Sequence, residues 1–256
     1  MSSISIAEAI LKHWGASVDP VPTSEKKESD WLATLGGFRL LIEEKTKLEN
    51  PDSAAERAKA LRSGQVHGST TSLRPNNRVS GVIGEAAKQL RSTGADVQHH
   101  ARAIWFTSIG FDREAKDHQA FNTLYGATKT FDLERSSSLQ DCFFFYNSEF
   151  FRHQDIDGAY LVVADGGTAT VRLCLNPFSP NWMALRDSPF AKQLKTGLVD
   201  PVAREAVGEA MLVDGSVDRR DRGAVLSYLS AKYGVPMLQN MDMNMASAVV
   251  AVPRER

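Results

Sequence analysis

The chain has 256 residues, 42% of them hydrophobic and 24% charged, enough to bury one sizeable core plus an appended subdomain without external staples. Thirty Lys and Arg stand against 31 Asp and Glu, which excludes a uniformly basic nucleic-acid coat and leaves any such surface to a local patch. No stretch approaches the roughly eighteen apolar residues of a membrane span, and no basic region precedes a long apolar run, so a cytoplasmic protein is expected.

In chain order, Ile4, Ala7, Ile10, Leu11 and Trp14 recur at helical spacing and predict an amphipathic helix stopped near Gly15. Pro20 and Pro22 mark an irregular connection. From Asp30 to Lys45 the pattern reads strand, Gly36-Gly37 turn, strand. A short helix is expected around Ala54 to Arg62, followed by a Gly-, Ser-, Thr- and Asn-rich stretch from Ser63 to Asn77 that reads as a mobile insertion. Val79, Val82, Ile83, Ala86, Ala87 and Leu90 predict a core-facing helix ending before Gly94, and Arg102 to Ile109 a buried strand.

Beyond this, Arg113 to Tyr125 reads as a helix, and Asp141 to Tyr146, Ile156 to Ala164 and Thr168 to Leu175 as strands, the last two joined through Asp165-Gly166-Gly167. Helical segments dominate after Pro177, around Trp182, Val202 to Leu212 and Arg222 to Tyr233, before an apolar run from Ala246 to Val252. Cys142 and Cys174 lie in apolar strand-like runs without zinc spacing and read as buried thiols.

The chemistry concentrates in the first hairpin. A two-residue Gly36-Gly37 loop places Asp30 directly opposite Glu43. Carboxylates paired in this way repel unless something positive lies between them. Alternation puts Lys45 on the face of Glu43, and Glu44 on the other face with Trp31, Ala33, Leu35, Phe38, Leu40 and Ile42. One side of the hairpin should therefore pack on helices while the acidic side lines a cleft. Two carboxylates and an ammonium suit metal-assisted attack of water on a phosphodiester, with oxygen ligands hard enough for magnesium.

Asp30 followed by Ile42-Glu43-Glu44-Lys45 resembles the Asp…(Glu/Asp)-x-Lys signature of the PD-(D/E)xK, restriction-endonuclease-like superfamily, with Ser29 where the family's proline usually stands. The resemblance covers roughly residues 4 to 109 and implies an α/β (α+β) fold whose core runs helix, three strands, helix, strand, with a mixed central sheet flanked by helices. It implies Asp30 and Glu43 as ligands for Mg2+ or Mn2+, the Glu44 backbone carbonyl as a further ligand and Lys45 as the catalytic lysine. Glu8 in the first helix and Gln89 in the helix after the motif match residues that some members add to the site. The organisation expected is a nuclease-like core over residues 1–175, with an insertion at about 48–78, and a mostly helical extension over 176–256.

Each residue also has a plainer structural reading. An ExK triplet alone fits a solvated strand edge, Glu8 fits a capping box with Ser5, and Gln89 fits a surface position in a good helix. His153, Asp155 and Asp157 read as a turn into a strand rather than as ligands. His99-His100 reads as a loop pair, and the aromatic run from Phe143 to Tyr146 as core rather than a base-stacking platform. No phosphate-binding Gly-Lys-Ser/Thr loop, GxSxG or HExxH occurs.

Between Lys45 and Arg102, ten Lys and Arg face five Asp and Glu, compatible with binding a phosphate backbone. The function expected is a metal-dependent nuclease, with DNA ahead of RNA as substrate and room for a protein partner or homodimer. The alternative is a catalytically inactive module of the same fold that binds nucleic acid or protein.

Overall fold

The computed structural model describes residues 4–21, 28–134, 139–242 and 245–251. The first elements are α1 (Ile6–His13), β1 (Ser17–Pro20), β2 (Trp31–Leu35), β3 (Phe38–Lys47), α2 (Pro51–Arg62), β4 (His67–Ser72), α3 (Asn77–Asp96) and β5 (Ala101–Ile109). There follow α4 (Arg113–Tyr125), β6 (Thr128–Asp132), β7 (Gln140–Phe143), α5 (Glu149–Arg152), β8 (Gly158–Asp165), β9 (Thr168–Leu175) and α6 (Trp182–Arg186). The last are β10 (Leu198–Val199), α7 (Pro201–Ala206), β11 (Ala210–Leu212), α8 (Arg222–Tyr233), β12 (Leu238–Met241) and β13 (Met245–Val250).

The protein is α/β, with a mixed seven-stranded central sheet in the order β1-β2-β3-β5-β8-β9-β10. The β2–β3 hairpin pairs Trp31 with Ile42 and Leu35 with Phe38. Its loop residues Gly36 and Gly37 both have positive φ, 55° and 79°, as a tight two-residue turn that follows the strand twist requires. β3 runs parallel to β5, and β5 parallel to β8. β5 is consequently covered on both faces, which explains its nearly continuous run of buried residues.

Alternation divides the core between the two faces of this sheet. Ala33, Leu40 and Ile42 pack with Ala7 and Leu11 of α1, Ala103 and Trp105 of β5, and Leu185 of α6. Leu41 faces the other way, into a cluster with Val79, Ile83, Ala86, Ala87 and Leu90 of α3 and Ala120 and Leu124 of α4. The same cluster continues through Phe143, Phe144, Phe145 and Leu212, so a second sheet, β11-β7-β6-β12, shares it. Cys142 and Cys174 are free and fully buried.

α3 continues past Gly94 to Asp96, beyond its expected end. Gly94 is a contact residue rather than a stop, since a Cβ there would lie 2.7 Å from Arg102 Nε. The stretch from Ser63 to Asn77, expected as a mobile insertion, contains β4, which pairs antiparallel with β13 from Ser72↔Met245 to His67↔Val250. The end of that stretch is tied to α4: Gln119 Nε2 donates to Ser72 O at 2.8 Å and Asn122 Nδ2 to Leu73 O at 2.7 Å.

After residue 175 the expected helices form as α6, α7 and α8, and they are joined by strands that were not expected. β10 extends the central sheet, β11 and β12 flank the second sheet, and β13 completes the pair with β4. The span Val202 to Leu212, expected as one helix, is α7 followed by β11. Strands as short as β10 and β11 carry too few residues for a period-two pattern to declare itself.

Candidate active site

The acidic end of the hairpin stands on the α3 face of the sheet. β2 begins at Trp31, so Asp30 is the residue that leads into it, and the hairpin register sets it beside Glu43. Asp30 is exposed, and its Oδ2 accepts the backbone N–H of Glu44 at 2.8 Å. Glu43 is 1% exposed. Its Oε1 accepts a hydrogen bond from Lys45 Nζ, whereas its Oε2 is buried and, among the described residues, has no hydrogen-bond partner. Burial pushes the Glu43 carboxyl up to about 7, with Lys45 opposing the shift and the nearby charge of Asp30 adding to it.

Gln89 projects from α3 into this cluster. Its Oε1 accepts from Lys45 Nζ at 3.3 Å and its Nε2 donates to the Glu28 carbonyl at 3.1 Å. One turn further along the helix, Thr93 Oγ1 accepts the Ser29 backbone N–H at 2.8 Å. α3 thus clamps the segment preceding β2 at two points while touching the lysine of the opposite strand. Thr93 was not among the residues singled out from the sequence, and its signal was its spacing of four from Gln89. Ser29 is 2% exposed, and among the described residues its Oγ has no hydrogen-bond partner.

Glu44 points to the other face, where Oε2 accepts from Trp31 Nε1 at 3.0 Å and Oε1 from the Ala7 backbone N–H at 3.4 Å. Its side chain therefore docks the start of α1 and is turned away from the acidic side. Glu8 lies on α1, across the sheet from Glu43, and bonds Lys12 Nζ at 2.7 Å. The Glu8 backbone N–H donates to the Ser5 capping hydroxyl at 3.1 Å, the forward half of a capping box. Asp30, Glu43, Lys45 and Gln89 are thus gathered together, and Glu8 stands apart.

The remaining polar candidates have structural partners. Arg91 bonds Asp155 at 2.8 Å, His153 contacts Glu149, and Asp157 accepts the Arg102 backbone N–H at 2.6 Å. His100 Nδ1 accepts the Arg39 backbone N–H at 2.9 Å. Among the described residues, no group of three or more His, Cys, Asp and Glu side chains is arranged to hold a metal ion. The hairpin offers two carboxylates, both hard oxygen donors, and the buried Glu43 Oε2, without a partner among the described residues, is the atom that a cation would satisfy.

No protein-family model matches the chain, and searches of curated proteins and of solved structures likewise return no match. Among the described residues, no helix is long and apolar enough to cross a membrane.

Proposed function

We propose that the protein is a metal-dependent nuclease that hydrolyses phosphodiester bonds, with DNA as the preferred substrate. One observation carries this reading. Asp30, Glu43 and Lys45 converge at the end of one hairpin, and among the described residues the buried Glu43 Oε2 has no hydrogen-bond partner. The element order α1, β1, β2, β3, α3, β5, with α2 and β4 as an insertion, supports the resemblance to the PD-(D/E)xK superfamily.

Asp30 and Glu43 would hold a magnesium or manganese ion, together with the Glu44 carbonyl. When bound, that ion supplies a lowered water pKa and neutralises charge on the phosphate. The Glu44 N–H fixes the Asp30 carboxylate by bonding Oδ2. Lys45, held between Glu43 and Gln89, places an ammonium where it can orient water or offset charge that develops on the phosphate. Gln89 positions Lys45 and, through the Glu28 carbonyl, the approach to Asp30.

A second reading is a catalytically inactive module of the same fold. The direct Lys45–Glu43 ion pair favours it, because that contact gives the buried carboxylate a cation from the protein itself. The two separate on incubation with linear, circular and single-stranded DNA, and with RNA, with and without Mg2+ or Mn2+. Cleavage that requires the cation and is lost in Glu43→Gln supports the nuclease. Binding without cleavage of any substrate supports the inactive module.

A further inference from the structure

A cavity of about 950 Å3 opens away from the hairpin, between the first turn of α3, the second half of α4 and the second sheet. Among the described residues, seven Lys and Arg line it against three carboxylates, with Asp117 beside Arg172 and Asp218 beside Arg220 just outside the lining. Lys129 Nζ and Arg204 Nη2 both bond Asp141, at 2.5 and 2.7 Å. Two cations from different elements therefore share Asp141, and Arg204 Nε also lies 3.8 Å from the exposed Glu209 carboxylate.

Arg219 adds a third positive charge. It is 6% exposed, and its guanidinium donates to the carbonyls of Phe144, Val213 and Gly215 at 2.9, 2.8 and 3.2 Å and lies 4.2 Å from the Phe151 ring centroid. Among the described residues it has no carboxylate hydrogen-bond partner. Asn77 and Ser80 bring the positive end of the 20-residue α3 to the same cavity, and the first turn of that helix contains no acidic residue to offset it. Glu149, which bonds Ser80, is itself held by Arg152 at 2.8 Å.

The chemistry favours phosphate over a simple carboxylate. Planar guanidinium forks match the oxygens of a phosphate, and a dianion answers paired cations better than a monoanion does. The volume exceeds what inorganic phosphate needs and falls within the range of pockets for whole cofactors and nucleotides. Aromatic surface lies beside the cations: Phe121, which stacks under Arg172 at 5.2 Å, and Tyr146 both line the cavity.

We propose that this cavity binds a nucleotide-sized phosphate ester, with Lys129 and Arg204 taking the phosphate and Phe121 and Tyr146 flanking the remainder. The source of that group is a free nucleotide or the phosphorylated end of a nucleic-acid strand. The pocket is separate from the carboxylate hairpin, because Ser80 and Gln89 are nine residues apart on α3, about 14 Å along the helix axis.

The test is equilibrium binding by calorimetry in EDTA, which removes any contribution from metal-dependent cleavage. The probes are AMP, ATP, adenosine, inorganic phosphate, and a short single strand with and without a 5′-phosphate. AMP or the phosphorylated strand should bind at least tenfold more tightly than adenosine or the unphosphorylated strand. Binding of AMP identifies a free nucleotide as sufficient, and binding of the phosphorylated strand alone assigns the group to a strand end.

Arg204→Gln and Lys129→Gln should each weaken binding about tenfold, while Glu43→Gln should leave it unchanged. If these variants fail to fold, Arg152→Gln combined with Arg220→Gln serves instead, since those side chains are 56% and 80% exposed, and a threefold or greater loss is expected. Absence of binding by every phosphorylated probe, equal binding of adenosine, indifference to the cavity variants, or loss of binding in Glu43→Gln would overturn the proposal.

Discussion

Asp30 and Glu44 are joined across the hairpin by a 2.8 Å hydrogen bond from the Glu44 backbone N–H to the Asp30 Oδ2. The carboxylate is thereby fixed by the main chain of the strand that carries Glu43 and Lys45, independently of any rotamer of those two residues. Charge and position at residue 30 can then be separated by substitution. Asp30→Asn keeps an oxygen acceptor for the Glu44 N–H and removes only the charge, so the melting temperature should change little. Cation-dependent cleavage should fall by a factor on the order of 10² or more, as for loss of one preorganised electrostatic group. Asp30→Ala should cost a further ~1 kcal/mol through the lost hydrogen bond. Thermal melts beside single-turnover cleavage check both. A large loss of stability in Asp30→Asn would contradict the fixed position.

Glu43 predicts an unusual dependence of stability on pH. Its carboxyl is raised from 4.5 to about 7 by burial, so between those values the folded protein holds a proton that the unfolded chain releases. Stability from this group is therefore present at low pH and is lost as pH rises through that window. The full penalty above it is about 3 kcal/mol at 1.36 kcal/mol per unit. Glu43→Gln, a close mimic of the protonated acid, should melt near the wild type at pH 5 and well above it at pH 8, while losing cleavage. At pH 8, Mg2+ should stabilise the wild type, by about 2.7 kcal/mol at a hundredfold excess over its dissociation constant, and should leave Glu43→Gln unmoved. Equal melting of the two proteins at both pH values would refute the burial cost.

The hairpin register is legible in the amino-acid sequence because Gly36-Gly37 is short enough to leave one favourable alignment, and Trp31↔Ile42 follows from it. The division between apolar and acidic faces needed nothing beyond alternation. Legibility ended where a side chain's role depends on a distant segment. Gln89 could be nominated from its helix, but its bond to the Glu28 carbonyl could not, and the bond between Thr93 and Ser29 spans 64 residues. β4 reads as a polar loop because its Ser and Thr residues are stabilised by β13, whose partner Ser247 meets Thr70 across 177 residues at 3.2 Å. The cations around Asp141 were equally hidden, since Lys129 and Arg204 are brought together by the second sheet.

The pairing of β4 with β13 carries its own prediction. α2, which leads into β4, has no buried residue, so the α2–β4 lobe lacks a core of its own and depends on the strand partner and on the bonds from Gln119 and Asn122. Truncation before Met245 should leave β4 unpaired, make the segment from Ser63 to Ser72 sensitive to limited proteolysis, and leave the global melting transition nearly in place. Mass spectrometry of the first cleavage products reads this directly. Equal resistance of the truncated and full-length chains would show that β13 does not hold β4.

Lys45 is less simple a probe than its long, flexible stem suggests, because its Nζ bonds both Glu43 and Gln89. Lys45→Ala removes one of the groups that hold the Glu43 carboxyl down, so that carboxyl should titrate above 7 in the variant. Near neutral pH it would take up a proton rather than remain a buried, unpaired charge, and the fold should survive for that reason. The loss of cleavage at pH 7 then combines two effects, a neutral Glu43 and a missing ammonium. Raising the pH separates them. At pH 9 and saturating Mg2+, Glu43 should be ionised again in the variant, and the part of the defect that came from its protonation should disappear. If Lys45 orients water or offsets charge on the phosphate, a deficit on the order of 10² to 10³ should remain, the cost of one preorganised donor. Gln89→Ala, which loosens Lys45 without removing it, should show a smaller deficit of about tenfold with little change in the apparent pKa. Single-turnover rates across pH for the three proteins decide the matter. Full recovery of Lys45→Ala at pH 9 would mean that Lys45 serves only to keep Glu43 ionised.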